Sequence, residues 1–555
     1  MIIFGFSHLE PYAKYFHDTN ISIMHDDRVM FASLEERFSR LKHHAGYPFL
    51  ALKTVQENLG FALADADIVA IAENRLPREN RVTNAAEFPF PAGRIKMPAA
   101  SPSTVFYCDH QLAHASVAFR LSPFDDALVI TLDGMGHDQG NPCFGAVFQG
   151  KGNTLVRKRT CWSDGNSLGL LYGFVTEALG WRMSDGEGKT MGLAGYGDPT
   201  IIKDEITKLA PRIENGHLVG GRRFRPKGGV VNNRHMVWDP VVEELSALAE
   251  TAGRENLAAA MQAVLEDTAI AWVQSQLKAF PKTRNVCLGG GIFLNVALNS
   301  RLRHTFPGIS FYVPPSPADG GIGLGAALEA AAQNGAPRTK LQQCQFLGGE
   351  YSVDPKILAQ NGLRIDARGD PTEAIAESLE RGEVVGLYQG RSEWGPRALG
   401  NRSVLAHPGL PGMRDRINKK LKRREPFMPF APAIKRARLL DWFDGPDRSS
   451  PYMMFTHKAK PSMVERIAQV LHVDQTGRVQ TVSEMDNPLL NAILDAFEYR
   501  VGMPLLLNTS FNLHGLPLVE SPRDAKDHLL RGCVDSLYIG GALLRREDAK
   551  TGSSA

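Results

Sequence analysis

The chain has 555 residues, 43% hydrophobic and 22% charged, a globular composition that excludes wholesale disorder and is too long for one hydrophobic core. Its 63 basic and 60 acidic residues leave a formal charge of +3, which excludes a general electrostatic pull toward nucleic acid or an anionic membrane. The six scattered cysteines, with no CxxC pair, exclude a disulfide scaffold and point to a reducing cytoplasm. The opening MIIFGF reads as a strand, without the basic leader of a signal peptide. No run approaches the ~18 uncharged apolar residues of a membrane span, so a soluble protein with no membrane partner is expected. ISIMHDDRVMFASLEE predicts a hairpin turning at Asp26-Asp27, and EERFSRLKHH a helix after it. DALVITLDGMG and GAVFQGKGNTLVRK predict a second set of paired strands. TAIAWVQSQLKAF is a helix, NVCLGGGIFLN a buried strand ending in glycines, and FYVPPSPADGGIGLGAALEAAAQNG a strand, a loop and an Ala-rich helix.

Strands broken by glycine loops that open helices predict an α/β fold with ligands at strand ends. The polar stretch AAQNGAPRTKLQQCQ, about 331–345, is the expected junction between a domain 1–340 and a domain 346–555. After it come a helix (EAIAESLERG), a buried strand (EVVGLYQGR), a basic helix (RDRINKKLKRRE) and a strand (MPLLLNTSF), with TGSSA as a loose tail. No internal repeat of about 20–50 residues is visible.

In DHQLAHASVAF, His110 and His114 stand at i, i+4, so on a helix both imidazoles project from one face. Two hydrogen-bonded core histidines would give the same spacing. Asp133, after the apolar run ALVITL, and Asp319, in the PADGGIG loop, complete an N/O ligand set suited to iron, manganese or zinc. With no thiolate and with open positions, such a site would be catalytic. Gly289, Gly290, Gly291 and Asn295, in GGGIFLN, permit backbone amides to approach the phosphates of a nucleotide, although tight packing turns explain them nearly as well. Near the start, His17-Asp18 offers a general base and Lys42 a hold on an anion; a capping pair and a solvated basic helix are the plainer readings.

In the second domain, GRSEWGPRALGNRSVLAHP presents Arg391, Arg397 and Arg402 on a loop stiffened by glycine and proline. Seven basic residues crowd Arg414 to Arg424, and a solvated face or a tRNA patch explains most of them. Lys422 stands apart because the apolar EPFMPFAP follows it, which predicts a partly buried turn needing an anionic partner. Arg478, in TGRVQTV, and Asn508 and Ser510, in LLNTSFNLHG, are further candidates to receive phosphate or carbamoyl oxygens, although a simple polar turn explains the latter segment as well.

Taken together, GRSEWGPRALGNRSVLAHP, INKKLKRREPFMPFAP and LLNTSFNLHGLPLVESP resemble the signature of the NodU/CmcH O-carbamoyltransferases, a family of nodulation-factor and antibiotic-tailoring enzymes. The segments EERFSRLKH, DHQLAHA, LDGMG, EGKTMGLAGYG, GGGIFLN and PADGGIGLGAAL match as well, in order, over nearly the whole chain. The resemblance implies an N-terminal actin-like (ASKHA) metal- and nucleotide-binding domain fused to a C-terminal YrdC-like α/β domain. It implies that carbamoyl phosphate and ATP, with Mg, give carbamoyl-adenylate at Arg397, Lys422, Arg478 and Ser510. It further implies transfer to the hydroxyl of a small-molecule acceptor, with iron(II) or another divalent transition metal on His110, His114, Asp133 and Asp319. His17 would then serve attack by that hydroxyl and Lys42 would line the site. Where family members often carry an arginine this chain has Met428, so an anion contact is either missing there or supplied by Arg423 or Arg424.

A tRNA threonylcarbamoyl-type fusion would need a basic footprint that the near-neutral charge does not suggest, and no nucleic-acid partner is expected. A nucleotide-binding regulatory protein would leave the late Arg/Lys/Ser set without a purpose, and a kinase of the actin-like fold would leave the last 200 or so residues unexplained. A homodimer is the candidate assembly.

Overall fold

The computed structural model describes residues 1–7, 17–72, 104–163, 165–225, 227–231, 234–339, 341, 343–360, 362–446 and 449–547. The TGSSA tail lies outside them. The chain forms two compact units, Met1–Leu347 and Gly348–Ala555. The stretch from Asn334 to Arg338 belongs to the first, because Arg338 donates to the carbonyl oxygens of Phe119, Ser122 and Phe124 at 2.5–2.7 Å. These carbonyls lie at and just beyond the C-terminus of the His110–Arg120 helix.

The first unit holds two five-stranded sheets. One runs Arg28–Leu34, Asn20–His25, Ile2–Phe6, Ile68–Ala72, Thr104–Cys108. The other runs Thr154–Trp162, Asn141–Lys151, Asp126–Asp138, Asn285–Gly289, Ser310–Tyr312. In each, a three-strand antiparallel meander is extended by two parallel strands along its first member. The same topology therefore occurs twice, although no repeat is visible in the sequence. The linking segments differ greatly in length, so nothing recurs at a fixed period. The expected hairpin at Asp26-Asp27 forms.

The His110–Arg120 helix and the Ala-rich Ile322–Gln333 helix pack on each other and are buried on nearly every face. Their contact is close: a Cβ on Gly325 would stand 2.1 Å from the Ala113 carbonyl oxygen. Glycine in that loop-and-helix segment serves packing. The helix expected over EERFSRLKHH is only Glu36–Ser39, ended by left-handed Arg40 (φ 60°) and followed by left-handed His43 (φ 55°).

The second unit is built on one eight-stranded mixed sheet. Its order is Leu363–Arg368, Ala542–Arg546, Ser536–Ile539, Val385–Tyr388, Arg402–Ala406, Leu505–Ser510, Ala431–Lys435, Gln480–Val482. Side chains alternate between two apolar layers: Val404, Leu505 and Leu507 on one face, Leu405 and Leu506 on the other. The helices Thr372–Glu380 and Pro488–Val501 cover the second face. The expected basic helix is α-helical only over Met413–Ile417, continues as a wider π turn over Asn418–Lys422, and stops at left-handed Arg423. Among the described residues no helix is long and apolar enough to cross a membrane.

Candidate active site

In the first unit the four expected ligands meet. The helix carries both imidazoles inward, the long strand brings Asp133, and the turn before the Ala-rich helix brings Asp319. His110 Nε2 lies 2.9 Å and His114 Nε2 3.3 Å from the same oxygen, Asp133 Oδ2, and the two nitrogens are 3.0 Å apart. Asp319 Oδ1 is 3.6 Å from His110 Nε2 and 3.3 Å from His114 Nε2. Four ligand atoms thus lie within 4.8 Å of one another. Two facing imidazole nitrogens and two acceptor-only carboxylates leave more lone pairs than protons at one point, and a divalent cation satisfies that set. Burial opposes ionisation of Asp133, but the two imidazoles outweigh it and hold the carboxyl well below its usual range. The Asp319 side chain is 27% exposed while both histidines are almost fully buried, so the cluster opens on the Asp319 side.

The glycine run supports this cluster. The Gly291 amide donates to Asp133 Oδ1 at 3.2 Å and the Gly290 amide to Pro317 O at 2.7 Å. Gly290 has φ +97° and a Cβ there would lie 2.1 Å from Leu132 O; a Cβ on Gly289 would crowd His114 O at 2.9 Å. Asn295 caps the helix that follows and exchanges hydrogen bonds with Gln262. The Gly290 and Gly291 amides and the Asn295 side chain, expected to face a nucleotide, are engaged within the protein.

Beside the cluster, His17 Nδ1 is 2.9 Å from Asp18 Oδ2, and His43 Nδ1 is 2.8 Å from Asp18 Oδ1. Burial lowers the basicity of His17, yet the Asp18 carboxylate more than offsets it and the net shift is upward. Lys42, expected to hold a substrate anion, is already paired with Asp185. Asn20 Nδ2 donates to Asp18 O at 2.9 Å and Asp319 O at 2.8 Å, tying this turn to the metal-ligand loop.

In the second unit, Lys422 is buried and donates to Ser510 O (2.5 Å), Ser510 Oγ (2.8 Å) and Asn512 Oδ1 (2.7 Å). It ends the π turn, and the expected turn follows it at Pro426-Phe427. Two residues before Ser510 on the same strand, and so on the same face, the Asn508 amide reaches Ala398 O (3.2 Å) and Gln480 Oε1 (2.7 Å). Gln480 in turn donates to Leu399 O at 2.8 Å. The loop bearing Arg397 is thus fastened at the end of strands Leu505–Ser510 and Gln480–Val482. Glu393 closes it from within, one oxygen accepting from the amides of Leu399, Asn401 and Arg402.

Arg397, Arg478 and Arg424 are partly accessible yet densely surrounded by protein, and burial pushes Arg397 and Arg424 down to about 10. Burial, then repulsion from Arg397 and Arg424, pushes Arg478 well below its usual value. Among the described residues none of the three makes an ion pair with a carboxylate. The Nε atoms of Arg397 and Arg478 are buried with no hydrogen-bond acceptor. Like charges so placed call for an anion. Arg424 stacks on Phe430 at 4.4 Å, whereas Arg423 is exposed. Arg402 is fully buried and bonded to the carbonyls of Gln389, Gly390 and Asn401, so it clamps the loop and presents no fork to a ligand. Arg391, at the start of the loop, bonds Gly348 O and lies near Glu350.

The family model described as carbamoyltransferase N-terminus matches residues 90–328, and that described as carbamoyltransferase C-terminus matches 376–546. Nodulation protein NolNO of Sinorhizobium fredii is 32% identical over 96% of this chain and 80% of its own length. Nodulation protein NolO of Bradyrhizobium diazoefficiens is 34% identical over 80% of this chain and 79% of its own. Among solved structures, the Acidaminococcus fermentans (R)-2-hydroxyglutaryl-CoA dehydratase component A aligns with 60% of this chain and 98% of its own at 13% identity. Its TM-score of 0.35 is too low to carry an argument.

Proposed function

The chain belongs to the carbamoyltransferase family and is an enzyme of carbamoyl transfer, and from that membership we propose an ATP-dependent O-carbamoyltransferase acting in two steps on the hydroxyl of a natural product or glycan. In the first step water cleaves carbamoyl phosphate to carbamate and phosphate. A carbamate oxygen then displaces pyrophosphate from the α-phosphorus of ATP, with Mg, to give carbamoyl-adenylate. The observation that carries this step is the group of guanidinium ions at Arg397, Arg424 and Arg478, none of which forms an ion pair with a carboxylate among the described residues, while Arg397 and Arg424 repel Arg478. Lys422 and Ser510 lie on the face that Asn508 links to the Arg397 loop. Bringing two polyanions together requires such a cluster, since the cations offset their mutual repulsion.

The second step falls to the first unit, as an actin-like domain; its duplicated sheet order supports that reading, and the second unit is read as YrdC-like. His110, His114, Asp133 and Asp319 would hold iron(II) or another divalent transition metal, which supplies a Lewis acid for the carbamoyl carbonyl. His17 accepts the proton of the acceptor hydroxyl, and Asn20 keeps that turn beside the Asp319 loop. A carbamoyl group is a poor electrophile because its nitrogen donates into the carbonyl, so activation by a good leaving group precedes transfer. The reaction is placed in the cytoplasm, where carbamoyl phosphate and ATP are made.

The test is pyrophosphate release from ATP that depends on carbamoyl phosphate, followed by transfer of labelled carbamoyl to a panel of polyhydroxylated alcohols. Carbamoyl-phosphate-dependent pyrophosphate release lost in Arg478→Met is expected. Its absence in the wild-type protein under every divalent-metal condition overturns the proposal.

A further inference from the structure

Asp18 is shared by two imidazoles, one on each carboxylate oxygen, and only one of them belongs to the chemistry above. His43 is held at both ring nitrogens: Nδ1 by Asp18 Oδ1 at 2.8 Å and Nε2 by Asp185 Oδ1 at 3.4 Å. Its backbone amide donates to Glu36 Oε2 at 2.8 Å. Ionised carboxylates only accept, so an imidazole between two of them carries both protons. Asp18 (φ 59°) and His43 (φ 55°) both adopt left-handed backbone, which is strained for a non-glycine residue and persists where the surroundings over-determine it.

We propose that Asp18 and His43 are positioning residues for the base His17, Asp18 fixing the tautomer and direction of the His17 ring and His43, clamped by Asp185, fixing Asp18. The inference rests on the reading of His17 as the base. With Nδ1–H directed at Asp18 Oδ2, the lone pair of the neutral ring sits on Nε2. As the acceptor oxygen bonds to the carbamoyl carbon, its proton passes to that nitrogen. The bond from the carbon to the adenylate oxygen breaks, and its electron pair leaves with AMP. His43 keeps its charge throughout: burial lowers its affinity for a proton, but Asp18 and Asp185 outweigh this and bring it up to about 10.

Residues 17, 18 and 43 also lie close enough to be considered as ligands of one ion. Their geometry differs from that of the His110 cluster. There both Nε2 atoms fall on one carboxylate oxygen and face each other at 3.0 Å. Here each imidazole takes a different oxygen, the rings stand edge to face at 6.2 Å, and the second nitrogen of His43 turns to another acid. The arrangement bridges and does not converge.

Diethyl pyrocarbonate, a small electrophile that acylates neutral imidazole and spares imidazolium, tests this on the full chain without any knowledge of the acceptor. The His17 and His43 side chains are 19% and 23% exposed, so access alone predicts equal reaction. Mass-spectrometric mapping over a rising pH series is expected to show His17 becoming reactive at a lower pH than His43, because His43 is bracketed by two carboxylates. In Asp18→Asn, His43 should become at least tenfold more reactive; His43→Asn, which keeps a donor to Asp18, should hold His17 nearer to its wild-type rate than His43→Ala does. Metal content should stay unchanged in all three. Equal modification of the two histidines throughout the series in the wild-type protein overturns the proposal even if a variant fails to fold, and so does loss of one metal equivalent in Asp18→Asn. His17→Ala separates the premise: if it retains carbamoyl transfer, the base assignment itself is wrong, whatever the labelling pattern.

Discussion

Replacing Gly136 by alanine adds one methyl group against the His110 imidazole. The new Cβ would stand 2.2 Å from Cδ2, 2.4 Å from Cγ and 2.8 Å from Nε2, where ordinary contact begins near 3.4 Å. The ring must therefore retreat by about 1 Å, against a tolerance of about 0.2 Å in a metal–nitrogen distance. Such a displacement, in a ligand packed inside a buried helix, is expected to weaken metal binding about 10–100-fold, the range seen when support for a ligand is lost. In free energy that is ~1.4–2.7 kcal/mol, and overpacking should cost the fold a further ~1–3 kcal/mol. Chelator competition measures the affinity and thermal unfolding the stability. Carbamoyl-phosphate-dependent pyrophosphate release, proposed for the other unit, should stay within twofold of wild type. A Gly136→Ala protein that holds metal as tightly as the wild type would refute the placement of His110 as a ligand.

Three further outcomes are expected. Lys422→Met strips the donor from Ser510 O, Ser510 Oγ and Asn512 Oδ1; it should cost roughly 1–3 kcal/mol and remove pyrophosphate release, read by denaturation and a coupled assay. Arg478→Met relieves repulsion from Arg397 and Arg424, so it should raise the thermal midpoint while abolishing the midpoint increase that pyrophosphate produces in the wild-type protein. Glu35, buried and accepting from the Leu50 and Ala51 amides, is pushed by burial up to about 7. Because its folded value lies above its unfolded one, the folded state holds the extra proton, and about 3 kcal/mol of stability present in acid should be lost as pH rises from about 4.5 to 7. Glu35→Gln should flatten that slope in thermal midpoints recorded across the range.

The separations within single elements were legible in the chain itself. The i, i+4 spacing put His110 and His114 on one helix face, and the two-residue period of LLLNTS put Asn508 and Ser510 on one side of a strand. Ordered motifs likewise identified the family without any coordinates. What local spacing cannot carry is the meeting of groups far apart in sequence. Asp185 reaches Lys42 and His43 across more than 140 residues, and Arg424 stands near Arg478 because the strand after Phe430 pairs with Gln480–Val482. Burial decided the rest. Arg397 and Arg402 stand five residues apart with the same side chain, yet backbone carbonyls accept from both terminal nitrogens of Arg402, whereas burial acts on Arg397 with no compensating charge. Residue type and spacing determine which charges a segment can offer; only the folded surroundings, by supplying or withholding partners, determine which charges stay available to a ligand.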